Sequence, residues 1–390
     1  MTASTPSVAD STDRRLSTAL EEVSRHIRAL KPYIPGKPIE EVKRELGLTG
    51  EIVKLASNEN PLGPPPSALA ALRDALPRLS QYPDGGCHDL RMAVARKLGV
   101  PADGLVFGNG SDEIIHLLGL TFLQPGDEVV VGDPTFVLYE AAATLAGAVT
   151  VKVPLTRPDY AHDPQAMADA FTDRTRLVFI ANPHNPTGSR IGRDAVDHLL
   201  ARLPARALLI LDEAYGEYVY GTPGFPAALE YIASGAPVIG LRTFSKMYGL
   251  AGLRVGYAVA HPEAIRALNQ SRSPFNVNLA GQVAATAAID DDAFVEAGKR
   301  ANAAGMTQLI AGFDRLGLRH IPSFTNFVMF DTDRPCRAVF EALLRQGVIV
   351  RTGDIFGMPT FLRVTIGTEA QNARFLSALE AVLPGIAPAG

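Results

Sequence analysis

Between residues 69 and 260 the chain repeats one pattern: a short run that is apolar on both faces, followed by a turn and often by a helix-like stretch. The runs are 105–107, 128–131, 177–180, 207–211, 238–241 and 255–260, with helical patterns such as 112–122 and 194–203 between several of them. A strand that is apolar on both faces needs cover on both sides, so this rhythm predicts an α/β fold with a mainly parallel central sheet covered by helices. Beyond Pro262 the pattern changes to longer helical stretches, around 280–289 and 291–316, and then to short strands near 326–330, 348–351 and 362–366. That change implies a second, smaller α+β domain. With 390 residues the chain also exceeds the size at which one core keeps growing. The expected organisation is a disordered N-terminal extension over 1–16, an arm and part of the small domain over 17–68, a large domain over 69–265 and a small C-terminal domain over 266–390. The arm would open on a helix near 17–30, and the prolines over 32–38 and 60–66 favour extended chain.

Composition excludes several classes of partner. Lys and Arg number 37 against 41 Asp and Glu, a formal charge of −4, and no long basic run occurs, so a nucleic-acid footprint is missing. The two cysteines, Cys87 and Cys336, are far apart and cannot supply a disulfide framework or a Cys-rich zinc site. No metal is expected. The first fifteen residues have no apolar core of the kind a secretion signal needs. The longest uncharged stretch, 273–289, is broken by Pro274, Asn276, Asn278 and Gln282, so no membrane span is predicted. The expectation is a soluble, cytoplasmic protein.

The chemistry gathers where the apolar runs end. One run closes on Asp212-Glu213-Ala214-Tyr215, another on Asn182 to Gly188, which includes Asn185, and a third on Thr243-Phe244-Ser245-Lys246. Two more close on Gly108 to Glu113 and on Gly132 to Phe136. In open α/β sheets ligands sit outside the carboxyl ends of the strands, so these five loops should meet at one crevice. Gly110 and Ser111 stand where a strand turns into the helix beginning near Asp112, and backbone N–H groups there suit a phosphate; an ordinary Ser/Asp N-cap gives the same pattern. Ser245 and Arg254 could add a hydroxyl and a forked cation. Asp212 is either a loop carboxylate reaching water or a buried anion that requires a positive partner, for which a protonated pyridine nitrogen would serve. Lys246 is either a surface lysine or a desolvated amine reactive toward an aldehyde. A phosphate cradle, a carboxylate for a ring nitrogen and an amine for an aldehyde together describe pyridoxal 5'-phosphate.

On these residues the chain resembles the fold-type I, class I and II aminotransferases, and within them the histidinol-phosphate aminotransferase family. The likeness runs from about residue 32 to 368. It rests on Tyr33-Ile34-Pro35-Gly36, Ser57-Asn58-Glu59-Asn60-Pro61, Tyr82-Pro83-Asp84, Asn182 to Gly188, Asp212 to Tyr215, Ser245-Lys246 and Leu362-Arg363-Val364. The resemblance implies a pyridoxal-phosphate-dependent transferase fold of type I, with the cofactor joined to Lys246, which then shuttles the proton. It implies that Asp212 pairs with the ring nitrogen, that Asn185 and Tyr215 hydrogen-bond the ring oxygen, and that Phe136 stacks on the ring. Gly110, Ser111, Asp112, Ser245 and Arg254 would surround the phosphate. Tyr82 resembles a tyrosine that reaches across a homodimer interface, and it could equally be a turn residue before Pro83. Where Phe136 stands, many relatives carry tyrosine.

For the substrate, Tyr33, Arg351 and Arg363 match positions that grip anions. Histidinol phosphate offers a phosphate and the 2-oxo acid partner offers carboxylates, so a site serving both needs cations that take either. The resemblance therefore implies a histidinol-phosphate:2-oxoglutarate aminotransferase of histidine biosynthesis. Two other substrate classes fit the same motifs: an aromatic amino-acid aminotransferase, and a pyridoxal-phosphate decarboxylase of phosphorylated amino acids. A binding protein that merely keeps the fold is disfavoured by the joint presence of Lys246, Asp212 and Arg254.

Overall fold

The structure is a computed structural model that describes residues 27, 28, 30, 39–47 and 50–389. The extension over 1–16, most of the expected helix near 17–30, the first proline-rich segment and Tyr33 lie outside the described residues.

Thirteen strands occur among the described residues: β1 (Val53–Lys54), β2 (Leu105–Asn109), β3 (Glu128–Asp133), β4 (Val149–Pro154), β5 (Thr175–Ala181), β6 (Leu208–Asp212), β7 (Val238–Thr243), β8 (Val255–Val259), β9 (Arg319–His320), β10 (Phe327–Asp331), β11 (Val348–Ile349), β12 (Arg351–Thr352) and β13 (Phe361–Thr365). Seven of them form the central sheet in the order β2-β8-β7-β6-β5-β3-β4. The pairings β4–β3–β5–β6–β7 are parallel, and β8 alone runs antiparallel to both its neighbours. The reason is the connection. The link from β7 to β8 spans only 244–254, without the helical crossover that a parallel return requires, so the chain doubles back. That short return is the segment that carries Lys246. The edge strand β4 escapes the sequence reading because Thr150 and Lys152 interrupt its apolar residues and only Val153 is buried.

Side-chain alternation distributes the core to the two faces. Val129, Val131, Phe179 and Ile210 pack under Ile114, Leu118 and Tyr139, whereas Val130, Val178, Leu209 and Leu211 pack under Met167, Val196, Leu199 and Tyr231. A third cluster joins Phe107 and Tyr257 to Leu90, Val94, Ala284 and Ala288, so the helix Leu279–Ala288 packs on the large sheet at β8 and against the helices Pro66–Ala75 and His88–Leu98.

The second assembly contains an antiparallel sheet in the order β12-β13-β10-β9 and the parallel pair β1–β11. Its core holds Val53, Leu55, Phe313, Phe330 and Phe375, with Phe313 stacked on Phe330 at 4.4 Å between ring centres. The long helix Asp292–Arg315 is capped by Asp291, whose carboxylate accepts from the Phe294 N–H at 3.1 Å. The helix Glu369–Val382 begins with a reciprocal capping box between Thr368 and Gln371. Among the described residues no helix is long and apolar enough to cross a membrane.

Candidate active site

The carboxyl ends of β3, β5, β6 and β7 open onto one cavity of about 270 Å³, whose walls include Ser111, Phe136, Asn185, Asp212, Tyr215 and Lys246. The five loops singled out in the sequence meet here.

Asp212 ends β6 and is buried. Its Oδ2 accepts from the Tyr139 hydroxyl at 2.7 Å and its Oδ1 from the Ala214 N–H at 3.0 Å. Burial pushes the carboxyl up to about 6, against those two hydrogen bonds. Tyr139 is held in place by stacking on Phe179 at 4.4 Å.

Lys246 lies in the turn after β7. Its Nζ donates to the Ser57 carbonyl at 3.3 Å and stands 5.7 Å from the centre of the Tyr215 ring. Burial, helped by the nearby Arg363 charge, brings its ammonium down to about 8. Burial raises the Tyr215 hydroxyl to about 12.

At the opposite end, the helix Gly110–Phe122 starts directly after β2 and presents its first turn to the cavity. Arg254, itself left-handed at φ 55°, donates from NH1 to Ser245 Oγ at 3.3 Å and from NH2 to Asp112 Oδ2 at 3.1 Å. Gly110 adopts φ 77°, and a Cβ there would fall 2.4 Å from the Arg254 guanidinium. Its N–H donates to the Arg254 carbonyl at 3.0 Å, so Gly110 shapes the cradle and its N–H is engaged by protein. The donors left for an anion come from the next residues of the first turn, whose N–H groups have no intrahelical acceptor.

A second cavity of about 140 Å³ shares Phe136, Asn185, Tyr215 and Lys246 with the first and adds Arg351 and Arg363. The two arginines are directly opposite each other across β12 and β13. Arg363 NH1 donates to Asn185 Oδ1 at 2.5 Å and NH2 to the Ala56 carbonyl at 3.1 Å.

A family profile described as aminotransferase class I and II matches residues 50–379. The chain is 52% identical to the histidinol-phosphate aminotransferase of Moorella thermoacetica over 98% of both chains, and 48% identical to that of Methylobacillus flagellatus over 92% of this chain and 96% of the relative. The crystal structure of histidinol-phosphate aminotransferase from Sinorhizobium meliloti, in complex with pyridoxal-5'-phosphate, superposes with a TM-score of 0.85 at 29% identity and covers 93% of this chain and 98% of that one. The chain belongs to the class I and II aminotransferase family. It is a pyridoxal-phosphate-dependent aminotransferase with the fold-type I architecture that the resemblance implied, built on the mainly parallel sheet expected from its strand pattern.

Within this aminotransferase site, the cavities bring together Ser111, Asp112, Phe136, Asn185, Asp212, Tyr215, Ser245, Lys246, Arg254, Arg351 and Arg363. Tyr82 is not among them. It is 84% exposed and stacks on Phe275 at 4.9 Å, away from both cavities of its own chain. Two residues escaped the sequence reading. Tyr139 carried only one signal, its place three residues after Phe136 at a helix start. Asn58 lay within a motif that gave no role for its side chain. Among the described residues no cluster of His, Cys, Asp and Glu could hold a metal ion.

Proposed function

We propose that this aminotransferase moves the amino group of histidinol phosphate to 2-oxoglutarate, in the cytoplasm and as a homodimer. The observation that carries the substrate assignment is the facing pair Arg351 and Arg363 in the smaller cavity, beside Lys246. Like charges directly opposite in a sheet repel, so an anion between them is favourable. A phosphate and a carboxylate both fit that description. The names of the relatives at 52% and 48% identity support the same reading.

The residues present fit pyridoxal phosphate. Gly110 leaves room that a Cβ would fill, Ser111, Ser245 and Arg254 would hold the phosphate, and Asp212 is a buried carboxyl whose hydrogen-bond partners, Tyr139 and Ala214, are neutral donors. A protonated ring nitrogen would supply the cation that its ionised form requires. Asn185 and Tyr215 would face the ring oxygen, and Phe136 would cover the ring. When bound, the cofactor draws electrons away from the donor's α-carbon. Lys246 Nζ would take up the proton released at that carbon and pass it to the cofactor's own carbon within the same half of the reaction, and would run the transfer in reverse with the acceptor, a task suited to an amine titrating at about 8. Arg363 and Arg351 orient the substrate by its anion and keep it over Lys246.

We read the chain as a cofactor-holding unit over 69–265 and a substrate-facing unit built from 17–68 and 266–390. The pairing of β1 with β11 supports joining the arm to the second unit, while the packing of Leu279–Ala288 favours a later boundary. The homodimer is supported by exposed Leu62, Leu76, Leu79, Tyr82 and Phe275, where a partner would find apolar surface and where Tyr82 could serve the neighbouring site.

Phe136, Val137, Ile355 and Phe356 also line the smaller cavity, and that apolar wall would accept a phenyl ring. Rates with histidinol phosphate and with phenylalanine, each with 2-oxoglutarate, separate the two. A phosphate dianion can satisfy both guanidinium groups where the single carboxylate charge of phenylalanine balances only one, and one further charge-assisted hydrogen bond is worth about 1.5–3 kcal/mol, so kcat/KM should favour histidinol phosphate by at least ~10-fold. A faster reaction with phenylalanine would overturn the assignment, and carbon dioxide release without consumption of the oxo acid would indicate decarboxylation.

A further inference from the structure

Three successive residues of the arm each hold one functional side chain of the site. The Ala56 carbonyl accepts from Arg363 NH2 at 3.1 Å, the Ser57 carbonyl from Lys246 Nζ at 3.3 Å, and Asn58 Nδ2 donates to the Tyr215 hydroxyl at 2.8 Å. The first two use backbone atoms that any residue would provide. Only the third depends on the identity of a side chain.

Asn58 is buried, and all of its polar groups are engaged. Its N–H donates to Thr365 Oγ1 at 2.9 Å, its Oδ1 accepts from the same hydroxyl at 3.2 Å, and its carbonyl accepts from Asn326 Nδ2 at 3.0 Å. Thr365 closes β13, the strand that carries Arg363. The backbone of Asn58 is left-handed at φ 56°, a conformation that asparagine tolerates better than most residues. The amide orientation follows from these partners: Oδ1 faces the threonine, so the donor end faces the tyrosine.

We propose that Asn58 is a positioning residue for the amino-transfer reaction: its amide fixes which way the Tyr215 hydroxyl points and ties that hydroxyl to the substrate-gripping strand β13. A tyrosine hydroxyl has one proton and can both donate and accept. With its oxygen accepting from Asn58, its proton is free to point into the cavity, and donation to the oxygen makes the O–H a stronger donor. The inference rests on the reading that Tyr215 faces the cofactor's ring oxygen. A stronger donor there favours the deprotonated ring oxygen, so the nitrogen joining Lys246 to the cofactor loses its proton at lower pH.

The test is a pH titration of the absorbance of the cofactor-loaded enzyme, comparing wild type, Asn58→Gly, Tyr215→Phe and the double variant. Glycine suits the left-handed backbone, and Asn58→Asp, which also tolerates it and exchanges the donor for an acceptor, is carried through the same cycle if the glycine variant folds poorly. Tyr215→Phe should raise the midpoint. Asn58→Gly should raise it by roughly 0.5–1 pH unit, the size of one hydrogen bond, and should add nothing when Tyr215 is already phenylalanine. A purely structural Asn58 would lower thermal stability and leave the midpoint where it is. The inference is overturned if Asn58→Gly leaves the midpoint unmoved while Tyr215→Phe moves it, or if its shift is the same in both backgrounds. If Tyr215→Phe itself moves nothing, the placement of Tyr215 at the ring oxygen fails first, and the role of Asn58 goes with it.

Discussion

At the scale of single residues, the site is a set of ionisable groups moved off their usual pKa values by burial. Lys246 shows the consequence most directly. Its ammonium titrates at about 8, below the ordinary lysine value of 10.5, because the folded state disfavours the charged form. The cofactor-free enzyme should therefore react with a small aldehyde, trapped by borohydride, with a midpoint near pH 8 at this one lysine. Peptide mapping of the trapped product against pH checks it, and a midpoint near 10.5 would mean that the amine is solvated. The linkage has a definite sign. Because the folded pKa is depressed, folding releases a proton from Lys246 between about pH 8 and 10.5, and this group's cost to stability is greatest below pH 8 and fades as pH rises toward 10.5. Residues of this kind were legible in the sequence where they ended apolar runs: Asp212, Asn185, Ser245 and Lys246 all stand just beyond the end of a buried strand or at its last position. Tyr139 and Asn58 were not, because their relevance depends on which atom a side chain reaches across 73 and 157 residues of sequence separation.

At the scale of elements, the proposed phosphate cradle is formed by backbones in close approach. Gly256, in β8, lies against the start of the helix Gly110–Phe122, and a Cβ there would sit 2.3 Å from the Ser111 nitrogen. Gly256→Ala must displace the first turn whose N–H groups would meet the cofactor's phosphate. Overpacking of this kind costs about 1–3 kcal/mol, so the dissociation constant for pyridoxal phosphate should rise by roughly 10-fold or more. Equilibrium titration of the cofactor measures this, and an unchanged constant would place the phosphate elsewhere. The sequence announced the strand and the helix but not their contact. Repeated apolar runs specify that strands are buried, whereas the reversal of β8 follows from the length of a single connection, and the edge strand β4 was lost because most of its residues are exposed or half-buried and it offers no unbroken apolar run.

At the scale of the whole molecule, apolar surface is left exposed along 62–82 and at Phe275. Leu76 is 59% exposed and Leu79 is 56% exposed, and Tyr82 leans on Phe275 in the same region. Burying the remaining exposed part of these two leucines on each of two copies would contribute about 3–6 kcal/mol in all. The pair Leu76→Asp and Leu79→Asp should weaken self-association by at least ~100-fold, as read by sedimentation velocity, and an unaffected dimer would move the interface to another face. One further contact bears on how the molecule is held together. Gly249, three residues beyond Lys246, has φ 63°, and a Cβ on it would fall 2.1 Å from the Gly63 carbonyl. Here two stretches of main chain cross with nothing between them, like a stitch drawn through cloth. The arm is consequently a wall of the cavity that holds Lys246, and the shape of the turn bearing that lysine is bounded by residues far upstream lying across it.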